Sequence, residues 1–293
     1  MKKPLIIVSG KDGQLGFELM QIHINLSSHF NFLFVGRNEL DLSKPDTITH
    51  FFKKYQPKYF INCAAYTAVD KAETEQELVF LINTTAPSEI AKNCKLFNCR
   101  LIHISTDYVF DGEKKLPYLV SDTTHPINIY GASKAKGEEL VVRENPESII
   151  IRTSWVYSSH GKNFVKTMMK LMSERDEINV VNDQIGNPTY AKDLAEAILQ
   201  IITQLHANPK IQYQNIYHYT NTGNISWFDF AKEIHEVLKF DCKVNPIPSS
   251  SFPTPAKRSH YSVLDCSAIE NDFGIAIKNW KESLNICLTK LST

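Results

Sequence analysis

The chain has 293 residues, with 32 basic side chains balancing 32 acidic ones, 43% hydrophobic residues and 22% charged. That much apolar material excludes a disordered chain, and zero net charge gives no general attraction to nucleic acid or to an anionic membrane. No apolar run approaches the ~20 residues of a membrane span, and the short one before Ser9-Gly10 falls below a signal-peptide core.

Leu5-Ile6-Ile7-Val8 is a short β-branched run, followed by glycines and an amphipathic stretch from Gln14 to about Leu26. Further apolar runs at 32–35, 59–63, 101–105 and 148–152 alternate with helical patterns. Continuous apolar strands separated by helices predict an α/β fold, a Rossmann-type doubly wound parallel sheet covered on both faces. The second half is less regular. A helix is expected from Tyr190 to Leu205, strand and loop over 211–228, an exposed loop through the four prolines between Pro246 and Pro255, and a last helix from Asn279 to about Leu291. The expected division is a Rossmann domain over 1–157 and a smaller C-terminal lobe over 158–293, with some segments returning to the first.

Gly10-Lys11-Asp12-Gly13-Gln14-Leu15-Gly16 has GxxGxxG spacing directly after the first strand and before a helix. Glycines there allow a tight turn and close approach of backbone to a pyrophosphate, which the helix N-terminus stabilises. At the end of the second strand, where a carboxylate would grip the ribose hydroxyl of NAD, the sequence has Arg37. A guanidinium suits a 2′-phosphate, so NADPH is expected, with NADH as the second choice. Asp41-Leu42 would border the adenine, or Asp41 would cap a helix beginning near Asp46.

Tyr130-Gly131-Ala132-Ser133-Lys134 puts Tyr and Lys on one helical face, and an ammonium beside a phenol favours the phenolate. Ser105-Thr106 ends a strand some two dozen residues upstream, on the ligand side of an open sheet. Thr106, Tyr130 and Lys134 thus make a hydroxyl-Tyr-Lys triad, the constellation of short-chain dehydrogenases and reductases. Asp107 either orients a substrate or satisfies a turn.

The segments Asn62-Cys63-Ala64-Ala65-Tyr66-Thr67-Ala68-Val69-Asp70-Lys71-Ala72-Glu73, Ser105-Thr106-Asp107-Tyr108-Val109-Phe110-Asp111-Gly112, Arg152-Thr153-Ser154-Trp155-Val156-Tyr157 and Asp183-Gln184-Ile185-Gly186-Asn187-Pro188-Thr189 resemble the dTDP-4-dehydrorhamnose reductase family, over essentially the whole chain. The resemblance implies NADPH-dependent reduction of dTDP-4-dehydro-β-L-rhamnose to dTDP-L-rhamnose, with the C-terminal lobe binding the sugar nucleotide. It implies Thr106, Tyr130 and Lys134 as catalytic, and Gly10, Gly13, Gln14, Leu15, Asp41, Leu42, Ala64, Ala65, Tyr66, Tyr130 and Lys134 as cofactor contacts. Thr106, Asp107 and Trp155 would meet the sugar nucleotide, and Arg258 its diphosphate, although Lys257-Arg258-Ser259 departs from the family's usual Arg-Pro. The resemblance also carries a magnesium-linked dimer. Its glutamates have no counterpart placed here, so no metal is expected and a homodimer is left open.

A 4-ketoreductase for another nucleotide sugar, an epimerase, and a non-catalytic regulatory subunit of the same family are the alternatives. A dehydratase would need a glutamate after the Thr-Asp pair, where this chain has Tyr108. Six cysteines without a CxxC pair read as reduced thiols in a cytoplasmic protein, and the ten histidines lack metal-ligand spacing. The Trp227-Phe228-Phe230 cluster is expected in the core of the second lobe.

Overall fold

In the computed structural model, which describes residues 3–292, six parallel strands form one sheet. They are β1 (Leu5–Ser9), β2 (Asn31–Val35), β3 (Tyr59–Asn62), β4 (Arg100–Thr106), β5 (Ile149–Thr153) and β6 (Ile216–His218), in the order β6-β5-β4-β3-β1-β2. Met1, Lys2 and Thr293, at the ends of the two expected domains, lie outside the described residues.

Alternation along each strand explains the continuous apolar runs. Ile6 and Val8 pack into one layer while Ile7 packs into the other. The first layer holds the helices Gln14–Ile22 and Ala191–Ala207, and the second holds Ile48–Tyr55, Ala86–Leu96 and Ile129–Glu144. The chain leaves β1 towards β2 at one edge and returns to β3 on the other side. This reversal opens a crevice beyond the carboxyl ends of β1 and β3.

A third cluster joins the helices Phe164–Glu174, Trp227–Leu238 and Trp280–Ser292 with a two-stranded parallel pair, Glu177–Val181 and Lys243–Ile247. That pair corrects the loop expected through the prolines, since Pro246 lies within its second strand. Lys243 N–H donates to the Asp176 carbonyl, and alternation turns the nitrogen of Pro246 away from the partner strand, where its missing N–H costs no ladder bond. Within Trp227-Phe228-Phe230, Phe230 is fully buried in this cluster, but Trp227 is half-buried and stacks on Trp155.

The turn after β1 is packed against itself. Gly10 has φ +75°, and a Cβ on Gly16 would sit 2.2 Å from the Gly10 carbonyl oxygen. Gly16→Ala is therefore expected to push the helix Gln14–Ile22 off the turn and lower the melting temperature by several degrees. A thermal unfolding curve matching wild type would refute this packing argument.

Candidate active site

The helix Gln14–Ile22 begins at Gly13 with no side-chain cap and no acidic residue in its first turn. Its N-terminal amides are therefore open to an anion. Gly10, Gly13, Gln14 and Leu15 line one wall of a crevice of about 1060 Å³. Arg37, Asp41 and Leu42 from the end of β2, and Ala64, Ala65 and Tyr66 from the end of β3, line the same crevice. So do Thr106, Asp107, Tyr130, Lys134 and Trp155. Among the residues singled out in the sequence, Arg258 does not line it. Its guanidinium donates to Asp70 at 2.9 Å and to the Ala256 carbonyl at 3.3 Å, over the ring of Tyr108.

Arg37 is largely exposed, with Nε 3.5 Å from Asp41. Asp41 accepts hydrogen bonds from the amide and hydroxyl of Ser43, closing a short turn; the carboxylate is held low first by the Ser43 hydroxyl. It does not cap the helix that starts at Ile48. Glu39, the acid nearest a ribose-reading place, accepts from the Gly36 amide at 2.8 Å and from Lys11 at 2.6 Å, so its oxygens are engaged with the protein.

The helix Ile129–Glu144 is capped by Asn128, whose side chain accepts from the Gly131 amide at 2.8 Å. Tyr130 and Lys134 are buried against the sheet on this helix. Burial pushes the Tyr130 phenol up to about 12, opposed by the neighbouring Thr106 hydroxyl. Burial pushes Lys134 down to about 8, with Glu138 acting the other way. The sequence expectation had the lysine lowering the tyrosine. Here desolvation governs both groups, and Lys134 Nζ donates instead to the Ile104 carbonyl at 2.7 Å. A phenol that stays protonated at neutral pH is a proton donor.

Thr106 Oγ1 donates to Asp107 at 3.0 Å and accepts from the Tyr108 amide at 3.2 Å. Burial pushes the Asp107 carboxyl up to about 6, opposed by the Thr106 and Ser262 hydroxyls. Trp155 has φ +47° and stacks face to face on Trp227, ring centroids 3.5 Å apart. The crevice also takes in Ser105, Tyr108, Gly161 and Lys162, which the sequence reading did not single out as site residues. Gly161 and Lys162 come from a loop of the second half that no motif marks.

A glycine turn and a Tyr-Lys helix sharing one crevice of a parallel sheet define a short-chain dehydrogenase/reductase. A family description, RmlD substrate binding domain, matches residues 3–293. The dTDP-4-dehydrorhamnose reductase of Aggregatibacter actinomycetemcomitans is 38% identical over 95% of this chain and 96% of its own length. That of Escherichia coli is 36% identical over 98% of both. Among solved structures, a dTDP-4-dehydrorhamnose reductase from Clostridium acetobutylicum matches with a TM-score of 0.92 and 38% identity, over 99% of this chain and 100% of that one. One from Bacillus anthracis in complex with NADP matches with a TM-score of 0.91 and 35% identity, over the same shares. The chain belongs to the dTDP-4-dehydrorhamnose reductase family.

The raised carboxyl of Asp107 carries a stability signature. In the unfolded chain it would titrate near the ordinary ~3.9, so the folded protein holds the proton more tightly. That contribution is fully present below about pH 4 and is lost as pH rises through about 6. Asp107→Asn removes the titration, so the difference in melting temperature between variant and wild type should grow in the variant's favour from pH 4 to pH 7. A difference that stays constant with pH would refute the assignment.

Proposed function

We propose that the protein reduces the 4-keto group of dTDP-4-dehydro-β-L-rhamnose to give dTDP-L-rhamnose, with NADPH as the reductant. The observation that carries this reading is the single crevice shared by the glycine turn, Arg37 and the Thr106-Tyr130-Lys134 constellation. The NADP complex of the Bacillus anthracis relative supports the cofactor. The crevice suits a dinucleotide chemically: an uncapped helix N-terminus for the pyrophosphate and a largely exposed guanidinium, only loosely paired with Asp41, for the 2′-phosphate.

When bound, the reduced nicotinamide supplies the hydride that C4 of the keto sugar accepts. Tyr130 donates its phenolic proton to the C4 oxygen, and the Lys134 ammonium stabilises the phenolate left behind. The Thr106 hydroxyl, which donates to Asp107 in the structure, turns to donate to the same C4 oxygen. Asp107 and Trp155 meet the sugar; Arg258, outside the crevice lining and held by Asp70, reaches a diphosphate only by leaving that carboxylate. In this reading residues 1–157 hold the cofactor and carry Thr106, Asp107 and Trp155, while 158–293 form the smaller lobe against which the sugar nucleotide lies, reaching the crevice through Gly161 and Lys162. Dehydration is disfavoured by Tyr108, a phenol pushed well up by burial where a carboxylate base would be needed. Six free thiols support a cytoplasmic setting.

The direct test is NADPH oxidation with dTDP-4-keto-6-deoxy sugars, followed by product identification; wild type without turnover would overturn the reading. Positioned proton transfer contributes typically ~10²–10⁴ in rate, so Tyr130→Phe should lower kcat by about that factor with little change in NADPH affinity. Near-normal turnover in a folded Tyr130→Phe variant would move the acid to another group, Asp107 first. A charged hydrogen bond to phosphate is worth roughly 1.5–3 kcal/mol, so Arg37→Ala should weaken NADPH about ten- to a hundred-fold and leave NADH nearly unchanged. Equal affinity of wild type for both cofactors would count against Arg37. Trp155→Ala should raise KM for the sugar nucleotide with cofactor binding near normal; simple unfolding would favour a purely structural tryptophan.

A further inference from the structure

Three polar side chains stand in a row across neighbouring strands, next to Lys134. Ser9 of β1 is paired in register with Asn62 of β3, and Asn62 with His103 of β4. All three are buried, His103 completely. Ser9 Oγ lies 2.6 Å from Asn62 Oδ1, and Asn62 Nδ2 lies 3.0 Å from His103 Nδ1. On its other side His103 Nε2 is 3.3 Å from Lys134 Nζ. The fold alone does not require such a row, since β1, β3 and β4 are otherwise apolar where they are covered.

We propose that His103 is a positioning residue for Lys134, accepting a hydrogen bond from its ammonium and, with the Ile104 carbonyl, aiming the remaining N–H into the crevice. The proposal rests on the reductase reading, in which that N–H serves the phenolate and the ribose. A neutral imidazole has one proton for two nitrogens. Burial and the charge of Lys134 keep His103 well below the usual imidazole range, so the ring is neutral. With Lys134 charged, Nε2 accepts and the Asn62 amide turns over from the orientation in the structure, so that Nδ1–H donates to its oxygen and its nitrogen donates to Ser9 Oγ. With Lys134 neutral every bond reverses. Nε2–H donates to the amine, the amide nitrogen donates to Nδ1, and Ser9 donates to the amide oxygen. One rotation of the amide serves both states, leaving none of these atoms unpartnered.

The neighbouring ionisable groups have other partners. Glu138, one turn along the helix, is held by Arg152 of β5, and Arg152 is 3.5 Å from His218 of β6. Asp107 and Tyr130 are engaged with Thr106, and burial keeps the Cys63 thiol neutral at the end of β3.

The test is a titration of Lys134 in the full chain labelled with carbon-13 lysine, without cofactor, the signal being assigned by its loss in Lys134→Arg. His103→Leu removes the acceptor at similar bulk, and the Lys134 midpoint should fall by about one pH unit, a tenfold change. His103→Gln places an amide oxygen within reach of Nζ and should restore most of that shift. The alkaline limb of kcat/KM should move in parallel. An unmoved midpoint in His103→Leu, or equal shifts in the Leu and Gln variants, overturns the proposal. If His103→Leu does not fold, His103→Asn replaces it, because that side chain reaches only the Nδ1 position; equal midpoints for Asn and Gln then overturn it. The titration needs neither substrate nor cofactor, so it decides the role of His103 whichever way the turnover assay decides the reaction.

Discussion

Arg152 and Glu138 form a buried ion pair on which the geometry of the crevice depends. Nε and Nη2 of Arg152 meet the two carboxylate oxygens at 3.0 and 2.6 Å, with both side chains at most 4% exposed. Glu138 lies one turn beyond Lys134 and two beyond Tyr130. The pair therefore fixes the rotation of that helix about its own axis relative to β5. Losing one partner would strand a charge in the interior at a cost of about 3–5 kcal/mol, whereas the intact pair adds little net stability. Its effect is to fix one orientation of the helix, so that the tyrosine and lysine face the crevice and not the second helical layer.

A similar role falls to the loop entering the second half. Gln14 donates to the Val156 carbonyl at 3.2 Å and accepts from Asn163 at 2.9 Å, while Ser158 donates to Glu18 at 2.5 Å. His160 stacks on Phe17, centroids 4.1 Å apart, with its Nε2 3.0 Å from the Asp12 carbonyl. The glycine turn is thus tied to the chain that continues into the helix Phe164–Glu174. The two walls of the crevice share one set of hydrogen bonds, so a disturbance on one side reaches the other through a single layer of side chains.

What the sequence made legible was local chemistry. The strands read as β-branched runs because both of their faces are covered. The glycine turn and the Tyr-Lys pair were visible because spacing alone defines them. Glu138 repeats the same four-residue step on the same helix face, yet nothing local says that it meets Arg152 and not solvent. His103 looked like one scattered histidine among ten, since its meaning comes from register across β1, β3 and β4. Arg258 pairs with Asp70, 188 positions away in the chain, which no reading of neighbours anticipates. Trp227 looked like core and does pack against the third cluster, but only the fold sets its face on Trp155. In each case the missing information was long-range pairing.

The stacked indoles have a consequence for optical spectroscopy. The chain has three tryptophans, and two of them, Trp155 and Trp227, lie parallel at 3.5 Å beside the crevice. Chromophores that close couple their transitions, producing a split circular-dichroism band in the near ultraviolet and self-quenched emission. A molecule that slides against Trp155 or tilts it alters that coupling directly. The protein therefore contains its own reporter in the wall of the crevice, and occupancy there can be followed without attaching a dye or waiting for turnover.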